Sequence, residues 1–97
     1  MQKIWNKYGD RFFSKIKIGT LEVIYNDKTT KIYGEKKLDQ KVTLEIINSK
    51  FFYRVAMYGD IGFAESYIDK DFETSNLTKL IEMALVNAKY LGTTSEN

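Results

Sequence analysis

The stretch Phe51 to Leu91, FFYRVAMYGDIGFAESYIDKDFETSNLTKLIEMALVNAKYL, constrains this chain more than any other part of it. Within it Leu77, Leu80, Ile81, Ala84, Leu85, Ala88 and Leu91 recur at three- and four-residue steps. That is the period of an amphipathic helix. Thr74 or Ser75 is placed to cap its start, and Gly92 to stop it, leaving GTTSEN as a frayed tail. Upstream, Asn48 and Ser49 open a short helix to about Tyr58, with Phe52, Val55 and Ala56 inward and Phe51 beside them. Gly59 stands where helices commonly end in a left-handed cap, and Asp60 can cap the next helix over about 62–68. Phe63, Ala64, Tyr67 and Ile68 are its apolar residues. DKDFETS then reads as a polar connector anchored by Phe72.

Residues 2–17, QKIWNKYGDRFFSKIK, place Ile4, Trp5, Tyr8, Phe12, Phe13 and Ile16 near a 3.6-residue period, so a first amphipathic helix is expected there. Lys3, Lys7, Arg11, Lys15 and Lys17 run largely along one flank. Gly9 in its middle weakens the helix by about 1 kcal/mol relative to alanine. Two uses fit this pattern. The aromatic face of Trp5, Phe12 and Phe13, flanked by Lys7, Arg11 and Lys15, can lie at a lipid interface, or it can pack on a sheet. In a domain this small, packing is the weightier reading.

Gly19 ends that pattern. Thr20–Tyr25 (TLEVIY) and Thr30–Tyr33 (TKIY), joined by Asn26–Asp27–Lys28–Thr29, form a predicted hairpin. After the solvated loop GEKKLDQ, KVTLEII alternates Val42, Leu44 and Ile46 against Thr43, Glu45 and Ile47, a half-buried strand. The expected fold is therefore one α+β domain over residues 1–97, a three-stranded antiparallel meander packed with about four helices. So small a sheet is stable only if something covers one face.

Composition removes several classes of function. The chain has no cysteine and no histidine, hence no thiolate, disulfide framework or imidazole base or ligand. Its longest apolar run is a few residues, far below the ~20 that span a bilayer. MQKIWNKYGDRFF has no apolar core like that of a secretory signal. Residues 1–50 carry 11 Lys/Arg against 6 Asp/Glu, and residues 51–97 carry 4 against 7, so charges of +5 and −3 make the net +2. A basic first half attracts anionic surfaces, although scattered charge also simply keeps a small protein soluble. Nucleic-acid binding is not expected: the aromatics are not interleaved with basic residues on a strand platform.

The order GTLEV, KIYGE, a strand, then FFYRVAMYGDIGFAESYIDKDFETSNLTKLIEMALVN resembles the small N-terminal domain of cyclopropane fatty acid synthases. Those enzymes belong with the mycolic acid synthases among S-adenosylmethionine-dependent, lipid-modifying methyltransferases. The resemblance covers about residues 19–87. It rests on Phe51, Phe52, Arg54, Gly59, Gly62, Glu65, Ser66, Tyr67, Asp69 and Leu77. The chain departs from the family pattern at Ala64 and Lys70, where Gly is usual, at Phe72, where Trp is frequent, and at Asn76, where Asp is usual. A left-handed turn at Lys70 would be slightly strained.

In that family methyl transfer belongs to a following domain with a Gly-rich cofactor loop. No such loop follows a strand here. The resemblance therefore implies a non-catalytic accessory domain with no cofactor of its own, assisting engagement of a lipid surface. The alternative is a protein-interaction or dimerisation module docking on a catalytic methyltransferase domain. The expected partners are that domain or a second copy, and an anionic phospholipid surface. The expected location is cytoplasmic, peripheral at the inner membrane face. Phe52, Arg54, Gly59, Gly62, Glu65, Tyr67 and Asp69 are the motif positions. Among them Glu65 can accept a bond from Arg54 or from an exposed helix-end amide and lock two helices together, the weightier reading beside a ligand or partner role. A calcium loop is not expected, because Asp69–Glu73 lacks the mid-loop Gly and closing Glu.

Overall fold

Phe72 lies at the centre of the interior, 1% exposed, with the rings of Phe51, Phe63 and Tyr67 at 5.2, 5.0 and 5.8 Å. It begins a strand, where the sequence predicts a polar connector. In the computed structural model, which describes residues 2–93, the chain is α+β with a four-stranded mixed sheet and four α-helices. Residues 94–97 of the expected tail lie outside the described residues. The strands are β1 (Thr20–Ile24), β2 (Thr30–Gly34), β3 (Val42–Ile46) and β4 (Phe72–Thr74), in the order β2-β1-β3-β4.

The three-stranded antiparallel meander is thus corrected in two ways. β1 and β2 do form an antiparallel hairpin, but β3 pairs with β1 in parallel, Leu21 opposite Val42 and Val23 opposite Leu44. β4 then closes the far edge antiparallel to β3, Ile46 opposite Phe72. Burial explains the order. Every inward residue of β3 is buried, whereas β2 buries only Tyr33. β2 therefore suits an edge, where exposed polar residues protect unpaired backbone. Residues 35–41, with a 3-10 turn at Leu38–Gln40, carry the chain past β1 to its other side. β4 has three residues, too few to display alternation.

Helices α1 (Gln2–Phe13), α2 (Lys50–Ile68), α3 (Leu77–Val86) and α4 (Ala88–Leu91) complete the fold. Phe13, Phe51, Phe52, Leu80, Met83 and Leu91 from these helices join Leu21, Val23, Val42, Leu44, Ile46 and Phe72 from the sheet in a single core. α1 stops at Phe13, short of residue 17. Gly9 has a packing reason: a Cβ there would stand 2.9 Å from the Tyr25 ring and 3.0 Å from that of Phe52. The cap of α3 is Asn76, whose side chain accepts from the Lys79 N–H at 3.0 Å. Thr74 and Ser75 instead bind the backbone of Thr43, tying β4 to β3. Asn87 divides the long helix expected to run to Leu91.

Candidate functional site

α2 holds a sharp elbow. Gly59 has φ 57° and ψ −128°, the geometry of the first central residue of a type II′ turn rather than the expected left-handed cap. Only glycine adopts it without strain. Gly62 is needed for a second reason: a Cβ there would collide with the Arg54 carbonyl oxygen. The two arms of α2, on either side of Gly59, thus touch backbone to backbone.

Arg54 holds the far end of this bend. Its Nη1 lies 2.9 Å from Asp69 Oδ2 and 3.2 Å from Asp71 Oδ2. The Asp71 side chain is 4% exposed, so its charge needs that partner. Hydrogen bonding to Asp69, followed by the nearby charge of Asp71, holds the guanidinium above its ordinary pKa. The Asp71 backbone joins α2 to the sheet: its N–H donates to the Ser66 carbonyl, and its own carbonyl accepts from Ile47 and Asn48. Lys70, between the two aspartates, has φ 61°, the strained left-handed geometry expected there.

The solvent side of the elbow is apolar. Tyr53, Met57, Tyr58 and Ile61 are exposed, Met57 at 61% and Ile61 at 69%. Tyr53 and Tyr58 meet edge to face, centroids 6.2 Å apart. Between the arms lies a shallow cleft of about 390 Å³ lined by Lys50, Tyr53, Arg54, Tyr58, Ile61 and Glu65. Arg54 is already engaged by two aspartates, whereas neither Lys50 nor Glu65 forms an ion pair among the described residues.

A second concavity, of about 430 Å³, opens between α1 and the β1–β2 hairpin. Its floor is a chain of hydroxyls: Tyr33 donates to Asp10 Oδ1 at 2.8 Å, so Tyr25, 2.7 Å away, donates to Tyr33. Lys31 Nζ reaches the same Asp10 oxygen at 2.7 Å. These bonds, that from Lys31 foremost, lower the Asp10 pKa, and burial raises those of Tyr25 and Tyr33. Every group in the chain already has a partner, which marks it as structural.

The candidates from α1 divide by position. Phe13 is buried, and Trp5 and Phe12 are half-buried against the core, with Trp5 stacked on Phe52 at 5.8 Å. Lys7, Arg11 and Lys15 are exposed. Of the motif residues, Phe52 lies in the core, and Arg54, Gly59, Gly62 and Asp69 build the bend. Tyr67 packs its ring on Phe72 while remaining about half exposed. The expected lock between Glu65 and Arg54 is replaced by Asp69 and Asp71, leaving Glu65 in solvent.

The sequence reading missed Lys50, Tyr53, Met57, Tyr58 and Ile61 as a group. The available signal was a surplus: α2 carries more large apolar residues than one inward face can hold. No three metal-ligating side chains converge among the described residues. No helix there is long and apolar enough to cross a membrane.

A family model, described as a domain of unknown function (DUF7884), matches residues 8–96. No curated protein matches the chain, and no solved structure matches it.

Proposed function

The chain belongs to the DUF7884 family, and we propose that it is a non-catalytic accessory domain of a lipid-modifying, cyclopropane fatty acid synthase-like methyltransferase, engaging a lipid–water interface. The observation that carries this reading is the exposed elbow of α2, where Tyr53, Met57 and Tyr58 before Gly59 and Ile61 after it are all exposed. Large apolar side chains clustered on a surface mark an interaction site. Tyrosines suit an interface in particular, since each has an apolar body and a polar tip. In this reading α1 contributes charge through Lys7, Arg11 and Lys15, while its aromatic face serves the core.

The test is co-sedimentation with vesicles of mixed zwitterionic and anionic phospholipid at low salt. The wild-type domain is expected to pellet, and the double variant Met57→Asp/Ile61→Asp to stay in the supernatant. Both positions are exposed, so the fold should survive. Failure of the wild type to pellet, or equal binding by the variant, overturns the proposal.

A second reading, docking on a catalytic methyltransferase domain, is favoured by α3. The core takes Leu80 and Met83, yet Ile81 and Leu85 stand exposed on another side of the helix, beside Ala84. Light scattering with a catalytic domain supplied in trans is expected to give a complex that Leu85→Asp abolishes. A persistent monomer would end this reading.

A further inference from the structure

We propose that the outer edge of β2, with the concavity beside it, receives an extended acidic segment of a partner protein as an added strand of the sheet. The inference uses no residue of the α2 elbow and stands apart from the interfacial reading.

Backbone geometry carries its first half. β2 lies at one end of the order β2-β1-β3-β4 and pairs with β1 alone among the described residues. The Tyr25 N–H donates to the Thr29 carbonyl, and Lys31 and Tyr33 follow at two-residue steps opposite Val23 and Leu21. Antiparallel pairs alternate, so Thr29, Lys31 and Tyr33 turn their backbone groups toward β1. Thr30 and Ile32 therefore aim their N–H and C=O away from the sheet. A strand laid along them gains main-chain bonds that depend on no particular sequence.

The concavity of about 430 Å³ supplies the specificity. Lys31 and Tyr33 line it from β2, and Ile4, Lys7 and Asp10 from α1. Lys31 and Tyr33 both bind Asp10, so this side of β2 faces α1. Alternate side chains of an added strand would project to the same side and meet Lys7. Lys7 is exposed and forms no ion pair among the described residues, and the same holds for Lys36 just past β2. These ammonium groups favour carboxylate side chains on the incoming strand.

Charge also argues against a second copy as the occupant. β2 paired antiparallel with itself about Ile32 would place the two copies of Lys31 diagonally across the junction, their Cα atoms roughly 7–8 Å apart. Edge lysines discourage such self-pairing, and the same charge attracts an acidic strand.

The test titrates isotope-labelled domain with a short blocked peptide alternating glutamate and valine. One control peptide carries glutamine in place of glutamate, and another carries methyl groups on the backbone nitrogens. The glutamate peptide should shift the amides of Thr30 and Ile32 and slow their hydrogen exchange roughly tenfold, since each gains an acceptor. Backbone methylation should abolish both effects. The glutamine peptide should bind about fivefold more weakly, and Lys7→Gln, an exposed position, should narrow that difference.

Equal binding of the glutamate and glutamine peptides overturns the acidic assignment. Unchanged exchange at Thr30 and Ile32 overturns strand addition, as does the absence of any shift. Exchange that slows with protein concentration before peptide is added, with a dimer by light scattering, assigns the edge to a second copy and overturns the proposal.

Discussion

Asn87 grips Ile18 from both sides: its Oδ1 accepts the Ile18 N–H at 3.0 Å, and its Nδ2 donates to the Ile18 carbonyl at 2.8 Å. The same amide accepts from Lys17 N–H and donates to the Met83 carbonyl. A fully buried side chain thus behaves like a length of β-strand, pairing the entry to β1 with the break between α3 and α4.

Asn87→Leu should therefore be severe. It fills similar volume but strands two backbone donors and removes two donated bonds, each loss costing about 1 kcal/mol or more. A drop of about 2–4 kcal/mol in unfolding free energy is expected from urea titration. A change below about 1 kcal/mol would show that the clamp contributes little.

Lys70→Gly should stabilise the domain. A side chain at φ 61° carries left-handed strain of about 1–2 kcal/mol, partly offset by the greater entropy of glycine in the unfolded chain. A net gain of about 0.5–1 kcal/mol is expected, read as a raised midpoint with unchanged urea slope.

Arg54→Met should leave Asp71 buried and uncompensated. A clear drop in the urea unfolding midpoint is expected, because removing one partner of a pair that includes the buried Asp71 costs more than replacing both. Adding Asp71→Asn should recover a good part of it. No recovery in the double variant would place the effect in packing rather than charge.

Ser66→Ala should be neutral or slightly stabilising. The Ser66 side chain is fully buried, and its Oγ has no hydrogen-bond partner among the described residues. Removing a hydroxyl that lost its water bonds on folding relieves a cost of about 1 kcal/mol. Marked destabilisation would reveal a partner for that oxygen.

The Asp10–Tyr33–Tyr25 chain predicts opposite effects at the two ends of the pH scale. Asp10 has a lowered folded-state pKa, so the unfolded chain binds its proton first on acidification. Its stabilisation is present above the ordinary carboxylate pKa and fades as pH falls through the folded value. Asp10→Asn should flatten the acid limb of stability below about pH 4. Tyr25 and Tyr33 have raised values, so their contribution is complete below the ordinary phenol pKa and is lost as pH rises beyond it. Titration of tyrosinate absorbance should show both ionising only as the fold is lost, and Tyr33→Phe should remove one group from that late phase. Ionisation of both in the folded domain near pH 10 would contradict it.

Much of the helical layout was legible because its signals are local. The period-three-and-four spacing of Leu77 to Leu91, the paired Phe51 and Phe52, and the glycines at 59, 62 and 92 each carry a backbone consequence within a few residues. Non-local choices left no such mark. Nothing adjacent to Val42 says that it pairs with Leu21 in parallel, and FET is too short to show a period. The surplus of apolar residues on α2 was visible, but burial of Phe51 and Phe52 against exposure of Tyr53, Met57 and Ile61 depends on where the sheet lies.

By itself the sequence determined roughly where the helices lie and which glycines turn the chain, though not their exact ends or the break at Asn87, because helix period and glycine geometry act over one or two turns of chain. Only the tertiary structure decided strand order, the choice of Asp69 and Asp71 over Glu65 as partners of Arg54, and which apolar side chains face water. Those outcomes depend on distances between residues far apart in sequence, which exist only once the core around Phe72 has formed.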